Sequence, residues 1–292
     1  MSEAEDLPTN WGRWGERDER GTLNLITDEV RGRAVAEART GRTVSLARPI
    51  PTSPMVAGPM APLGADSTAV LQAALFTGAS PRAMAELVVM MTHHPEVTHF
   101  DALAHQIVDG RVYPGLALEE AGGAAGLRHG STAVFAHGVV TRGVLIDLAS
   151  DGPLPDGHGV TGAELEAACT RAGVEVRSGD ALVVRGGWDY AASRHRHLPG
   201  MTLDAVAWMH RHDVAVYAGD IGDARPPVDP RVPGPLHRVA LARLGMPLID
   251  VADPTELAAA CAEEGRATFL FAAAPPPLGA ASGVPVNPLA IF

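Results

Sequence analysis

The sequence predicts an α/β protein, because segments with a helical pattern and short apolar strands alternate between residues 143 and 272. Residue types at the predicted helix ends support this prediction. Thr161 with Glu164 fits a capping box, and Asp253 precedes a proline and an acidic residue, as at a helix N-terminus. Glycines stand where three of these helices would end, at Gly173, Gly245 and Gly265.

The N-terminal part of the chain is patterned less regularly. Residues 1–27 hold two of the four tryptophans without clear periodicity, and we expect this segment to pack as an arm. Thr27 can cap a helix that runs to about residue 39, and residues 43–50 alternate as a strand would. We expect the whole chain, residues 1–292, to form a single domain.

Residues 51–81 are rich in Pro, Gly, Ala and Met, and they predict a long irregular loop. Loops of this length in enzymes are often lids or pocket walls, and a plain linker is the alternative. The apolar run at residues 86–91 predicts a buried strand that leads into a histidine-rich segment.

The second half of the chain carries the regular alternation. Its first element is a core strand predicted at residues 143–148. The elements that follow are a helix at about 162–172, a strand at 181–185, a helix at about 203–212, a strand at 214–218, a helix at about 236–244, a strand around 248, a helix at about 254–264 and a strand at 268–272.

Composition narrows the class of protein. The chain is 46% hydrophobic and 20% charged, as in globular proteins, and its formal net charge is -11 without a basic patch. We therefore expect no nucleic-acid partner. The acidic N-terminus has no apolar run, and no apolar stretch reaches the length of a membrane span, so we expect a cytoplasmic protein without a membrane partner.

Several common active-site motifs are missing from the sequence. There is no glycine-rich nucleotide-binding motif, no Gly-x-Ser-x-Gly elbow and no His-Glu-x-x-His. The two cysteines, Cys169 and Cys261, lie in separate helix-like segments and not in paired motifs. A disulfide scaffold and a cysteine-type zinc site are therefore not expected.

The segment 93–105 contains four of the twelve histidines and is the strongest candidate site. His99, Asp101 and His105 share parity, so an extended backbone would direct all three to one face, and a helix would still bring Asp101 near His105. Imidazole and carboxylate groups together suit zinc, manganese or iron. His93 and His94 lie just upstream as further candidate ligands.

Other polar residues follow predicted strands, where α/β proteins place functional groups. Asp220 and Asp223 follow one strand and Asp250 ends another. An Asp-rich turn that binds its own backbone is the alternative for Asp220 and Asp223. His237 opens a predicted helix, where a packed or capping histidine is more common than a ligand.

Five stretches of the chain together resemble the putative cyclase family, which includes bacterial kynurenine formamidases and isatin hydrolases, in its longer subgroup. They are Gly21–Thr27, Thr98–His105, Arg142–Asp147, Pro235–Arg238 and Pro285–Ala290. The resemblance implies a layered β/β/α fold of the kynurenine formamidase-like (swivelling) type, most often a homo-oligomer such as a dimer or tetramer. It also implies a divalent metal that activates water against an amide or related carbonyl.

The family motif, His-x-Gly-Thr-His-x-Asp-x-Pro-x-His, assigns roles when it is placed on this chain. It implies that His99 and Asp101 are metal ligands and that His105 is the acid/base, with His237 and Asp250 completing the metal shell. Pro95 stands where the motif has its first histidine. His93 or His94 could supply that ligand.

We therefore predict a hydrolase, dependent on zinc or manganese, that cleaves a C–N bond in a small aromatic or cyclic amide, imide or formamide. Metal ligands are predicted at His93, His94, His99, Asp101, His237 and Asp250, and the acid/base at His105. Trp14, Asp220 and Asp223 are predicted to bind the small-molecule substrate. A biosynthetic cyclase or dehydratase on the same fold and a non-catalytic small-molecule binding protein are the alternatives.

Overall fold

The computed structural model describes residues 7–50, 52–54, 69–78, 80, 82–189, 193 and 196–292. In the described residues the α-helices are α1 (Asp28–Val35), α2 (Leu118–Ala121), α3 (Gly162–Ala172), α4 (Leu203–Arg211) and α5 (Thr255–Glu264). Two 3-10 helices span Gly21–Leu25 and Thr132–Phe135, and a π-helix spans Leu236–Leu241.

The strands follow one another along the chain in the following order. They are β1 (Thr43–Ser45), β2 (Thr52–Pro54), β3 (Val70–Phe76), β4 (Met84–Met90), β5 (His99–Asp101), β6 (Arg111–Val112), β7 (Leu116–Ala117), β8 (Gly122–Gly123), β9 (Gly126–Leu127), β10 (Val139–Asp147), β11 (Gly159–Val160), β12 (Ala181–Arg185), β13 (Gly200–Met201), β14 (Val216–Gly219), β15 (Leu248–Asp250), β16 (Thr268–Ala273), β17 (Gly283–Pro285) and β18 (Leu289–Ile291).

A nine-stranded sheet forms the centre of the fold, in the order β1-β18-β16-β10-β12-β14-β15-β5-β17. Strands β10, β12, β14 and β15 are parallel to one another. The remaining neighbours pair in antiparallel fashion. Strand β5, which carries His99 and Asp101, lies between β15 and β17.

Alternation along the strands divides the apolar side chains between the two faces of this sheet. On one face, Val144 and Leu182 pack with buried residues of α3, α4 and the π-helix. On the other face, Leu145 and Val183 pack with α5 and with Val30 of α1. Because both faces are covered by helices, residues 144–146 of β10 and 181–184 of β12 are apolar and buried. The predicted α/β class is confirmed.

The strand predicted at 181–185 (β12) has the predicted bounds to the residue, and the helix predicted at about 162–172 is α3. The N-terminus of α3 is a complete capping box: Glu164 N donates to Thr161 Oγ1 at 3.3 Å, and Thr161 N donates to Glu164 Oε2 at 2.8 Å. Gly173 ends the helix in the left-handed conformation, with φ 61°. Local signals alone determine these bounds.

Other bounds differ because tertiary contacts override local pattern. Helix α1 begins after Thr27, as predicted, but ends at Val35, and the carboxylate of Glu37 beyond it bonds Arg266 at 3.0 Å. The strand predicted at 43–50 ends at Ser45. The helix predicted at 236–244 is a π-helix over its first six residues.

The prediction of a long loop at 51–81 is wrong over part of that range. Residues 70–76 form strand β3, which pairs along its whole length with β4. Strand β2 also lies in the range, and residues 55–68 are outside the described residues. The strand predicted at 86–91 exists as β4, but most of it is exposed and not buried, because this three-stranded sheet stands apart from the main sheet.

None of the described helices has both the length and the apolar character that crossing a bilayer requires.

Candidate metal centre

The site is built on strand β5, whose three residues are all buried. Phe100 points into the core that α5 helps to cover, so His99 and Asp101, one residue to either side, project to the opposite face. His99 lies opposite Asp250 on β15 and opposite Pro285 on β17. Sheet pairing thus brings a histidine and two aspartates together on one face, as the shared parity predicts.

Asp101 is the centre of the cluster and is fully buried. Three imidazole nitrogens surround its carboxylate, His93 Nδ1 at 2.9 Å, His99 Nε2 at 3.4 Å and His237 Nε2 at 3.5 Å. None of them is aligned as a hydrogen-bond donor, and both oxygens of Asp101 are buried without a hydrogen-bond partner among the described residues. A buried carboxylate left in this state requires a positive partner.

Two of the histidines are held by their other ring nitrogen. His99 Nδ1 lies 2.7 Å from Val97 O, and His237 Nδ1 lies 2.7 Å from Asp223 Oδ2. In each case Nδ1 carries a proton because its partner only accepts, so the lone pair of the neutral imidazole is on Nε2. Both Nε2 atoms face the carboxylates, since that of His237 is also 3.3 Å from Asp250 Oδ2. Metal-binding histidines are typically oriented in this way.

His93 and His105 form the other side of the cluster. Their rings stack at a centroid distance of 3.8 Å, and His93 also meets the edge of the His99 ring at 4.9 Å. Two sets of three residues could each hold a metal ion, because the ligand atoms within each set lie within 4.8 Å of one another. Asp101 belongs to both sets. It is joined by His93 and His105 in the first set and by His99 and Asp250 in the second.

The carboxylates and imidazoles of the cluster shift one another's pKa. Burial opposes ionisation of Asp101, but His237, His93 and His99 outweigh it and hold the pKa of this carboxyl well below its usual range. Burial likewise opposes the charge on His237, and Asp250, Asp101 and Asp223 outweigh it, so its pKa is raised well above the usual value. Burial lowers the pKa of His105 to about 4, against the opposing effect of Asp101.

The residues present fit a divalent cation. The orphaned oxygens of Asp101 and the Nε2 atoms of His99 and His237 converge on one small volume, and Asp250 adds a second carboxylate. Imidazole nitrogen and carboxylate oxygen are ligands for zinc and manganese. His93 Nδ1 lies 2.9 Å from Asp101 Oδ1, whereas Pro95 stands at the first histidine position of the motif.

His94 is not brought to this cluster, contrary to the prediction. Its side chain is fully buried and its Nδ1 accepts from Glu96 N at 3.2 Å. It belongs to neither group of converging ligand atoms. His93 and His94 point to different surroundings because the chain turns between Met91 and Val97, where hydrogen bonds link Met91 to His94 and His94 to Val97.

Asp220 and Asp223 have structural partners in the fold, and their contact with substrate stays a prediction. Asp220 accepts hydrogen bonds from the backbone N–H groups of residues 186, 187 and 188 at 2.6 to 3.0 Å, and it is 4% exposed. Burial raises the pKa of Asp220 to about 6, although these hydrogen bonds oppose the shift. Asp223 accepts from Leu236 N and from both N–H groups of His237, so it orients a candidate ligand.

Trp14 lies away from the cluster in this chain. Its ring lies under the guanidinium of Arg13, which pairs with Asp213 at 2.8 Å. Asp213 precedes β14, whereas Asp220 and Asp223 follow it, so Trp14 lies at the opposite end of that strand from the site. Its predicted contact with substrate has no support in these contacts.

Two residues that the sequence did not single out also contact the cluster. Ser282 Oγ lies 3.2 Å from His93 Nε2, and Gly283 pairs with Asp101 across β17 and β5. No residue type or spacing marks them as part of a site. Only the nearby resemblance at Pro285–Ala290 indicates that this part of the chain is involved.

Comparison with known proteins gives the same fold. A crystal structure described as a novel cyclase is 29% identical, with a TM-score of 0.82, and the match covers 97% of this chain and 99% of that one. Isatin hydrolase A from Ralstonia solanacearum is 21% identical, with a TM-score of 0.63 and coverage of 89% and 94%. An isatin hydrolase bound to the product analogue thioisatinate is 18% identical, with a TM-score of 0.62 and coverage of 89% and 95%. These similarities confirm the predicted fold class.

The sequence itself identifies the family. No curated protein sequence is significantly similar to the chain. The profile of the putative cyclase family, however, matches residues 43–224. That range contains β5 and the segment 93–105, and it is more than half of the chain. The chain therefore belongs to the putative cyclase family.

Proposed function

We propose that the chain is a metal-dependent hydrolase of a C–N bond in a small aromatic or cyclic amide, imide or formamide. The buried carboxylate of Asp101, unpartnered among His93, His99 and His237, is the observation that carries this proposal. The fold shared with isatin hydrolases, and with a protein described as a potential metal-dependent hydrolase with cyclase activity, supports it.

Five residues would hold the cation, for which zinc and manganese are the proposed identities. They are His93, His99, Asp101, His237 and Asp250. When bound, a divalent cation makes a water nucleophile available near neutral pH and polarises a carbonyl oxygen. Asp223 and Val97 fix the tautomers of His237 and His99, so the nitrogens facing the site carry lone pairs.

His105 is the proposed acid/base. It stacks on His93 inside the cluster, and no described hydrogen bond engages its ring. Hydrolysis of an amide requires a proton on the departing nitrogen, because an amide anion is a poor leaving group. His105 accepts a proton from the attacking water and returns it to that nitrogen.

A cyclase or dehydratase is the second candidate function. The 29% identical protein described as a novel cyclase favours it. Such an enzyme would use the same residues to move protons without adding water to its product. Product analysis by mass spectrometry distinguishes the candidates, because hydrolysis adds 18 mass units, as one water, to the sum of the products.

Asp101→Asn tests the proposal directly. The variant loses the negative charge at the centre of the ligand cluster. We expect its metal content, measured by elemental analysis, to fall at least as much as when a residue that orients a metal ligand is replaced, which is about 10- to 100-fold. Turnover on a panel of cyclic amides, imides and formamides should fall with it. Asp28→Asn, an exposed carboxylate on α1, is the matched control and should change neither quantity. Wild-type metal content in Asp101→Asn would exclude this site.

A further inference from the structure

His93 is the member of the cluster that has no counterpart in the family motif. The residues that fix the position of its ring belong to a distant part of the chain. His93 lies in the turn before β5, two residues before Pro95, which replaces the first histidine of the motif. Its Nδ1 is 2.9 Å from Asp101 Oδ1 and is buried without a hydrogen-bond partner among the described residues. His99 and His237 instead direct Nε2 to the same carboxylate.

Strand β17 provides the contacts that place this ring. Gly283 lies opposite Asp101, and Ala102 N donates to Ser282 O at 2.9 Å, so the backbone there is fixed against β5. A Cβ atom on Gly283 would lie 2.4 Å from His93 Cε1 and 2.8 Å from its Nε2. Such distances are below van der Waals contact, so the ring occupies space that only glycine leaves free.

The hydroxyl of Ser282 engages the nitrogen on the far side of the ring. Ser282 Oγ lies 3.2 Å from His93 Nε2. A serine hydroxyl can donate to a ring nitrogen or accept from an N–H; where it accepts, the proton is on Nε2 and the lone pair is on Nδ1, the atom beside Asp101. Stacking of His105 on the other face, at 3.8 Å, leaves the ring little freedom to rotate.

We propose that Ser282 and Gly283 are positioning residues that make His93 a ligand through Nδ1, in place of the histidine that Pro95 replaces. This inference rests on the proposed function, because it requires that the cluster bind a cation. It adds a specific geometry: His93 binds through Nδ1, whereas His99 and His237 bind through Nε2. Neither Ser282 nor Gly283 contacts the cation itself.

Gly283→Ala tests the space requirement. Wild-type and variant proteins are stripped with a chelator and titrated with Zn²⁺ or Mn²⁺ alone, and the dissociation constant is measured by calorimetry. We expect affinity to fall about 10- to 100-fold, the range for residues that orient ligands. Gly279→Ala, four residues earlier in the chain, is the matched control. A Cβ atom at Gly279 meets nothing within 4 Å, so this variant should bind the metal as tightly as the wild type does. Unchanged affinity in Gly283→Ala overturns the proposal.

Substitution of His93 tests which nitrogen binds, and it does so without relying on Gly283→Ala to fold. An asparagine oxygen can occupy the position of Nδ1, whereas a glutamine oxygen reaches the position of Nε2. We expect His93→Asn to keep measurably tighter metal binding than His93→Gln. The order should reverse for His99→Gln and His99→Asn, because His99 presents Nε2. The same order at both positions would overturn the proposal.

These measurements separate the inference from the function on which it rests. If the stripped wild-type protein binds neither Zn²⁺ nor Mn²⁺, the proposed function fails and the inference fails with it. If the wild type binds but Gly283→Ala and Ser282→Ala bind equally well, only the inference fails. Weaker binding in both variants, with wild-type affinity in Gly279→Ala, supports it.

Discussion

Asp223 is the residue that connects the strand ends to the metal cluster. One of its oxygens binds Leu236 N at 2.8 Å, and the other binds His237 Nδ1 at 2.7 Å. It therefore holds the start of the π-helix and the tautomer of His237 at the same time. Position after a strand predicts substrate binding for this aspartate, and in the structure it bonds the candidate ligand His237.

Asp223→Asn should weaken metal binding without removing a ligand. The amide keeps the shape of the side chain but loses the charge that favours the proton on His237 Nδ1, so we expect affinity for Zn²⁺ to fall about 10- to 100-fold. Calorimetric titration of the stripped protein measures this, with Asp28→Asn as the control for loss of one carboxylate. If Asp223→Asn binds Zn²⁺ as tightly as the wild type, the only role of Asp223 is to accept the hydrogen bond at the start of the π-helix.

His105→Asn should separate metal binding from catalysis. We expect the variant to keep its metal, because five other residues surround the proposed cation, and to lose turnover by about 10²- to 10⁴-fold, as is typical for removal of a general acid/base. An activated ester should lose less than an amide, because its leaving group needs no proton. Paired elemental analysis and kinetics decide the matter, and loss of metal in this variant would make His105 a ligand.

Sequence reasoning at the residue scale succeeded where one rule sufficed. Strand parity predicts that His99 and Asp101 share a face, and the structure confirms it. The same rule cannot choose between His93 and His94, because both lie in an irregular turn whose shape depends on contacts with Ser282 and the core. The position of Asp220 after a strand predicts a role in substrate binding. In the structure its carboxylate accepts hydrogen bonds from three backbone N–H groups.

At the scale of elements, α3 shows how a local signal becomes a measurable contribution to stability. Glu164 accepts from Thr161 N and lies 2.7 Å from His158 Nε2. Burial alone would raise the pKa of Glu164, but the hydrogen bonds from Thr161 and His158 outweigh it and lower that pKa. The stability that Glu164 contributes is therefore present above pH about 4.5, the unfolded pKa, and is lost as pH falls through the lower folded pKa.

Glu164→Gln provides a matched variant for this pH dependence, because glutamine can still complete a capping box but does not ionise. We expect the wild type to be the more stable protein at pH 6 and the difference in unfolding free energy to shrink as the pH is lowered to 3. Urea denaturation at several pH values measures both proteins. A difference that does not change with pH would show that the charge of Glu164 adds nothing.

Helix α3 shows what local signals can predict. It has a capping box and a left-handed glycine, and it lies where the sequence predicts it. Strand β3 instead lies in a segment rich in Pro, Gly, Ala and Met, whose composition predicts a loop. Its existence follows from seven paired residues on β4, and a single-strand pattern does not contain that information.

At the scale of the whole molecule, the sheet order creates the site. Strand β5 lies between β15 and β17, so residues 99 to 101, 248 to 250 and 283 to 285 become neighbours although more than 180 residues separate the first and last of them. Of these three strands, periodicity predicted only β15, around residue 248. It could not predict their order, because the pairing of distant segments depends on the whole core, and the family resemblance was needed to join His237 and Asp250 to the motif.

The hairpin of β3 and β4 shows what remains exposed once this core is complete. By the register of the pair, Leu75 and Leu87 share one face of the hairpin, and Phe76, Met84 and Val88 share the other. All five are exposed, and exposure increases from the base of the hairpin toward its tip. Contiguous exposed apolar surface of this kind marks an interaction site.

We predict that a second copy of the chain covers this hairpin, in line with the homo-oligomer that the family resemblance implies. Replacing Phe76 and Val88 together by serine should therefore shift the protein toward the monomer in analytical ultracentrifugation. Val35→Ser is the control, since Val35 on α1 is about as exposed (57%) as Phe76 (61%) but lies outside the hairpin. A monomeric wild type, or an unchanged assembly in the double variant, would contradict this interface.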